Sequence, residues 1–170
     1  MYGKGVFFDP RLKDKNQFPV AARTGFADRR TEPDLITAKL PALHYYQLSI
    51  PAPDPPKDSY DQDAAARGSA LFKGQARCAT CHVPPLFSEP GWPMHSASEI
   101  GIDDFQVSRS PDKKYRTTPL AGLFTRSKGG FYHDGRFPTL LDVVNHYGRH
   151  LSLKLAEQQK QDLIEFLKSL

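Results

Sequence analysis

The sequence has few cysteines, no long apolar run and no block of like charges. Only two of its 170 residues are cysteine, which excludes a framework of several disulfides. No stretch of about 18 consecutive apolar residues occurs, so we expect no membrane span. The 23 Lys and Arg residues are scattered and the net charge is only +4, which predicts a solvated basic surface and no nucleic-acid binding.

Both cysteines stand in one short motif, CATCH, which ends in His82. A disulfide between Cys78 and Cys81 would close a tiny loop and stabilise little. A thioredoxin-like pair would need a surrounding βαβ pattern, and a structural zinc site would need four ligands. Covalent attachment of c-type haem accounts for all three residues, because two thiols bond to the haem vinyl groups and the imidazole ligates iron. The motif therefore predicts one covalent haem.

The segments around the motif predict helices. Residues 61–77 have Asp61 or Asp63 as a candidate cap, Gly68 on the apolar face for a close helix approach, and Gly74 at the end. The last residues of the chain form a second amphipathic pattern, whose apolar side is Leu163, Ile164, Phe166, Leu167 and Leu170. A helix before CxxCH and a packed terminal helix predict a mostly α, cytochrome c-like fold.

Residues 61–170 also carry a family resemblance. The segments TPLAGL at 118–123, FYHDGRFPTL at 131–140 and VVNHY at 143–147 resemble the C-terminal haem domain of the bacterial di-haem cytochrome c peroxidase family. That family includes the di-haem enzyme that matures the tryptophan-derived cofactor of methylamine dehydrogenase. Family enzymes carry two CxxCH motifs, whereas this chain carries one.

The resemblance and the residue patterns together predict the domain organisation. We expect an extended N-terminal arm over residues 1–57, ending in the Pro-rich PAPDPP, and a mono-haem cytochrome c domain over residues 58–170. That domain should contain three to five helices with long irregular loops. Residues 83–120 are punctuated by Pro and Gly and leave room for a short β-hairpin.

Several residues are candidates for the iron ligand opposite His82. Thr139 and Asp142 predict a capped helix whose apolar face includes Tyr147. The resemblance adds that family peroxidases place methionine at this position and the cofactor-maturing enzyme places tyrosine. A merely packed Tyr147 remains the alternative. Met94 and His146 are alternative distal ligands, and His95 is a weaker one.

Polar residues near the HDG sequence are candidates for the haem surroundings. The resemblance implies that His133 lies close to the haem without ligating iron, where its ring could bond a propionate or the loop backbone. Arg116, Arg126 and Arg136 are candidate propionate partners, because guanidinium groups pair well with carboxylates. Plain surface exposure is the alternative for each arginine. The family binds calcium at its domain junction, but the acidic sequence IDDF is interpreted as a solvated turn.

Three functions fit these patterns. We expect a periplasmic electron carrier that exchanges electrons with a redox partner protein. The alternatives are a cytochrome c peroxidase-type enzyme, or the electron-input half of one, and a haem-based sensor. Peroxide cleavage needs an open iron position and a polar acid or base. The start of this sequence carries no signal-peptide pattern. The periplasmic location is therefore inferred from the compartment in which haem is attached to CxxCH.

Overall fold

A computed structural model describes residues 14–24, 33, 35–89, 93–110 and 112–170. The chain divides into two compact units, one of Met1–Pro51 with Asp104–Lys113 and one of Ala52–Asp103 with Lys114–Leu170. The regular secondary structure of the described residues is almost entirely helical, which confirms the predicted fold class. The division into an arm over 1–57 and a haem domain over 58–170 stays a prediction, and residues 1–13 lie outside the described part.

The described residues of the first unit form two α-helices, α1 at Pro19–Thr24 and α2 at Leu40–Ser49. Short 3₁₀ turns cover Thr37–Lys39 and Val107–Arg109. Phe18 and Val107 are buried, and the ammonium of Lys113 lies 5.7 Å from the centroid of the Phe18 ring. None of the residues of α2 is buried, so this helix contributes no core face.

In the second unit, helix α3 spans Gln62–Lys73. Of the two predicted caps, Asp61 is the one used: its carboxylate accepts a hydrogen bond of 2.9 Å from the backbone N–H of Ala64. Gly74 is the C-terminal cap, as predicted. Gly68 is buried against the backbone of the last helix, which confirms the predicted close approach.

Helices α4 and α5 complete this unit at Leu140–His150 and Glu157–Lys168. The predicted capping box at the start of α4 is present, because Thr139 accepts from the Asp142 N–H and the Asp142 carboxylate accepts from the Thr139 N–H. Helix α5 packs against both α3 and α4. Its predicted apolar side faces inward, and Leu163, Ile164, Phe166 and Leu167 are all buried.

The core of this unit lies where α3, α4 and α5 meet. Phe72 is 1% exposed, and its ring meets Phe166 edge-on at a centroid distance of 5.1 Å. Phe87 comes from the loop after the CATCH motif and packs edge-on against both rings at 6.0 Å. The loop that follows the motif is therefore anchored in the core by one aromatic side chain.

The rest of this unit is turns and loops. Among the described residues, pairing outside helices is limited to isolated antiparallel bridges between His95 and Tyr115 and between Phe131 and Phe137. The first bridge lies in the segment where the sequence leaves room for a short hairpin. No described helix is both long and apolar enough to cross a membrane.

Candidate functional site

The CATCH motif forms one tight turn directly after α3. Arg77 has a left-handed backbone with φ of 58°, and a 3₁₀ turn follows at Cys78–Thr80. The backbone N–H of His82 donates to the Cys78 carbonyl at 2.9 Å, and the Thr80 hydroxyl donates to the Arg77 carbonyl at 2.7 Å. These bonds bring Cys78, Cys81 and His82 together on one turn.

The His82 ring is held at one nitrogen. Its Nδ1 lies 3.1 Å from the backbone carbonyl oxygen of Phe87, so Nδ1 carries the proton and Nε2 keeps its lone pair. Burial lowers the pKa of His82, which favours the neutral ring that metals bind. A backbone carbonyl on the far nitrogen is a usual second partner of a metal-bound histidine.

Phe87 belongs to this site, although the sequence does not predict it there. Its ring packs on Phe72 and Phe166, while its carbonyl oxygen accepts from His82 and also from the backbone N–H of Leu120 at 3.2 Å. One residue thus joins the helical core to the imidazole. No sequence signal identifies it, because the bond uses a backbone oxygen that every residue has.

The two thiols lie in a partly buried environment. Burial raises the pKa of Cys78 to about 11 and also raises the pKa of Cys81. Both side chains are therefore protonated at neutral pH and carry no charge. Neither cysteine forms a disulfide, so both thiols are chemically available.

Tyr147 is a half-buried residue of α4. Burial is the main cause that raises the pKa of Tyr147, and the Cys78 and Cys81 thiols raise this pKa further. The ring of Tyr132 is its neighbour at a centroid distance of 6.3 Å. Tyr147 thus belongs to a cluster of aromatic rings that also contains Tyr132 and His146.

Of the alternative ligands, His95 also lies near the motif, because a His95 ring nitrogen, Cys81 Sγ and a Glu89 carboxylate oxygen lie within 4.8 Å of one another. His146 points its Nε2 to the carbonyl oxygen of Ile100 at 3.2 Å, and its ring stacks on His150 at 6.0 Å. His95 is engaged at both nitrogens, with Glu89 at 2.7 Å and Glu99 at 2.8 Å. Met94 is half-buried in the same loop as His95.

The candidate propionate partners are spread over one loop and its surroundings. His133 stacks on Tyr115 at a centroid distance of 5.9 Å, and its Nε2 lies 3.4 Å from a carboxylate oxygen of Asp103. Arg136 pairs with Asp134 at 2.8 Å and also with Asp103. The structure thus brings His133 and Arg136 together around Asp103.

The other two candidate arginines are Arg126 and Arg116. Arg126 donates to the carbonyl oxygens of Pro119 and Ala121, at 2.5 and 3.0 Å. Arg116 is exposed.

Two buried polar atoms in this loop have no hydrogen-bond partner among the described residues. They are the Tyr132 hydroxyl oxygen and the His133 Nδ1. Buried polar groups are normally paired, so each of these atoms is expected to gain a hydrogen-bond partner in the functional state. Both atoms come from the FYHDG sequence that carries the family resemblance.

The carboxylate of Asp103, from the IDDF sequence, contacts His133 and Arg136. Asp103, His133 and Asp134 bring three potential metal-ligand atoms within 4.8 Å of one another. However, Arg136 bonds both carboxylates and supplies the positive charge that a cation would otherwise provide. The cluster is therefore an ion-pair network in the part of the chain that the structure describes.

A mostly helical unit with a CxxCH turn after its first helix is typical of small c-type cytochrome domains. The chain is similar to methylamine utilization protein MauG of Methylorubrum extorquens, with 28% identity over 152 positions that cover 76% of this chain and 42% of that protein. It is also 28% identical over 149 positions to cytochrome-c peroxidase IdrP1 of Pseudomonas sp., covering 61% of this chain and 39% of that protein.

Hydrazine synthase subunit gamma of Kuenenia stuttgartiensis is 35% identical over 89 positions, which cover 44% of this chain and 24% of that protein. These relatives confirm the predicted resemblance to the di-haem cytochrome c peroxidase family. The chain spans 42% or less of the length of each of them. No family model matches the chain, and no solved structure matches it.

Proposed function

We propose that this chain is a c-type cytochrome domain that holds one haem and transfers electrons. The observation that carries the proposal is the His82 ring, tied at Nδ1 to the Phe87 carbonyl while two thiols lie on the same turn. The residues fit haem c, because Cys78 and Cys81 supply two thiols for thioether bonds and His82 supplies a neutral imidazole. When bound, the haem iron supplies one-electron redox chemistry.

Tyr147 is the proposed ligand opposite His82. Its half-buried position on α4 supports this role, as do the hydrogen bonds that occupy both nitrogens of His95 and the Nε2 of His146. An anionic phenolate oxygen favours ferric iron, so this ligand would give a low reduction potential. The competing proposal is that Tyr147 is only a packed aromatic and that Met94 or His146 binds iron.

His133 is the proposed propionate partner. Its buried Nδ1 has no hydrogen-bond partner among the described residues, which supports an acceptor supplied by the cofactor. Arg136 holds His133 indirectly, since both side chains contact Asp103. Arg136 and Arg116 are further proposed propionate partners. For Arg136 this role requires that its guanidinium exchanges one of its present carboxylate partners, Asp103 or Asp134, for the propionate.

Electron transfer is preferred over peroxide chemistry because two protein ligands would leave no open iron position. The second candidate is a peroxidase-type enzyme or its electron-input half, which the match to a protein named cytochrome-c peroxidase favours. We further propose a periplasmic location and a redox partner protein, because haem is attached to CxxCH outside the bacterial cytoplasm.

The test is to express the chain with an export signal in a host that matures c-type cytochromes and to mix the reduced product with hydrogen peroxide and an electron donor. The carrier proposal predicts a low-spin resting spectrum and only slow bleaching. Rapid catalytic consumption of peroxide, with a partly high-spin resting spectrum, would favour the enzyme instead.

A further inference from the structure

The hydroxyl group of Tyr132 is an unpaired polar group beside the proposed iron ligand. Its oxygen is buried and has no hydrogen-bond partner among the residues that the structure describes. Leaving a buried donor unpaired costs free energy, because the group gives up its hydrogen bonds to water and gains none in return. A group of this kind is expected to have an acceptor in the functional state of the protein.

The loop around Tyr132 holds it in one position. Tyr132 has a left-handed backbone with φ of 70°, and the N–H of the preceding Phe131 donates to the Phe137 carbonyl at 2.9 Å. The two sides of the loop touch, since a β-carbon on Gly130 would lie 2.5 Å from the Gly135 carbonyl oxygen. Phe137 then packs edge-on against the Tyr132 ring at 4.9 Å.

The rings that face Tyr132 from α4 are Tyr147 and His146, at centroid distances of 6.3 and 5.5 Å. His146 Nε2 is directed at the Ile100 carbonyl. The planes of the Tyr132 and Tyr147 rings meet at 39°, so the two phenol side chains are direct neighbours. The Tyr147 oxygen is therefore a neighbouring acceptor for the Tyr132 proton.

We propose that Tyr132 is a positioning residue that donates a hydrogen bond to the iron-binding oxygen of Tyr147. This inference rests on the proposed ligation by Tyr147. The donor draws electron density from the phenolate oxygen and so weakens its bond to iron, because hydrogen bonds to a ligand tune its basicity. The bond also fixes the orientation of the Tyr147 ring. Tyr132 itself does not bind iron.

The experiment compares the ferric holoproteins of the original sequence and Tyr132→Phe by resonance Raman spectroscopy, each in H2O and D2O. We expect the iron–phenolate stretch of the original protein to shift in D2O. In Tyr132→Phe that stretch should rise in frequency and lose its deuterium sensitivity, and the reduction potential should fall. The matched control is Tyr115→Phe, which removes a hydroxyl that already donates to the Asp103 carbonyl at 3.0 Å and should leave the stretch unchanged.

The outcomes separate this inference from the proposed function. If the original protein shows no iron–phenolate stretch, ligation by Tyr147 is wrong and this inference falls with it. If the stretch is present but identical in Tyr132→Phe, ligation stands and the role of Tyr132 alone is overturned. Should Tyr132→Phe fail to take up haem, the original protein in D2O decides, because a deuterium-insensitive stretch overturns the hydrogen bond and a sensitive one supports it.

Discussion

Gly68 of α3 lies directly against the backbone of Asp162 in α5. A β-carbon at Gly68 would lie 2.0 Å from the Asp162 carbonyl oxygen and 2.8 Å from the Phe166 β-carbon. Neither atom is the end of a flexible side chain, so an added methyl group can be accommodated only if the helices separate. This contact sets how closely the helix before the CATCH turn approaches the last helix.

We expect Gly68→Ala to lower the free energy of unfolding by about 3 kcal/mol, the upper part of the usual range for overpacking. Urea unfolding followed by circular dichroism measures this change. The matched control is Gly148→Ala in α4, where a β-carbon meets no protein atom within 4 Å. That variant should gain about 0.5–1 kcal/mol from helix propensity. Equal stabilities for both variants would contradict the close packing of α3 and α5.

Asp162 gives a second, pH-dependent test of the same helix pair. Its buried carboxylate accepts from Arg67 Nε at 3.0 Å and Nη2 at 2.8 Å, and from Gln158 at 3.1 Å. The hydrogen bond from Arg67 lowers the pKa of Asp162. A depressed pKa stabilises the fold above the unfolded-state value of about 4 and loses this contribution as pH falls through the folded-state pKa.

Arg67→Met should therefore be less stable at pH 7 and should unfold in acid at a higher pH than the original protein. An acid titration followed by far-ultraviolet circular dichroism checks this. Lys160→Met is the control, because its partner Glu157 is 78% exposed and surface pairs contribute little. An unchanged acid midpoint in Arg67→Met would show that the Asp162 carboxylate does not depend on Arg67.

His95 predicts a pH effect of the opposite sign. The Glu89 carboxylate, which also accepts from Thr117 at 2.6 Å, raises the pKa of His95, and Glu99 raises it further. A raised pKa stabilises the fold fully below the unfolded-state value of about 6.5, and this contribution is lost as pH rises through the folded-state pKa. The original protein should thus lose stability above neutral pH.

The measurement is the urea midpoint at several pH values from about 6 to 9, with 6.5 as the unfolded reference. His95→Gln keeps hydrogen-bonding ability but cannot titrate, so its profile should lack the loss at high pH. Subtracting the two profiles removes the contribution of the other histidines. If both proteins follow the same curve, the charged state of His95 does not contribute to stability.

Ligation by Tyr147 predicts a change of both spin state and potential in Tyr147→Phe. Removing the anionic oxygen should leave the iron partly high-spin and raise the reduction potential, within the range of about 0.8 V that axial ligands control. Absorption spectra and a redox titration measure both. Tyr45→Phe is the control, because Tyr45 is 76% exposed on α2. A low-spin spectrum and an unchanged potential in Tyr147→Phe would favour Met94 or His146 as the ligand.

The helices and the attachment turn could be predicted from sequence because their signals are local. Asp61 and Thr139 cap the helices that begin at the next residue. The CATCH motif contains both thiols and the imidazole within five consecutive residues. Gly68 could be predicted as a close-contact position, since glycine on the apolar face of a helix leaves room for a neighbouring backbone.

The polar surroundings could not be predicted, because their partners are far apart in sequence. Asp103 meets His133 and Arg136 only through the folding of an irregular loop. The sequence offers His95 as a weak ligand candidate. It does not show that the carboxylates of Glu89 and Glu99 bind both of its ring nitrogens in the folded protein. Phe87 contributes a backbone oxygen, which leaves no trace in the residue pattern.

Covalent haem attachment is tested most directly by the intact mass of the exported, matured protein after denaturation and solvent extraction of loose haem. We expect a mass that corresponds to one retained haem, carried by the peptide that contains Cys78 and Cys81, and its loss in the variant in which both cysteines are replaced by serine. A mass equal to that of the polypeptide alone, in a host that matures other c-type cytochromes, would contradict covalent attachment and with it the proposed electron carrier.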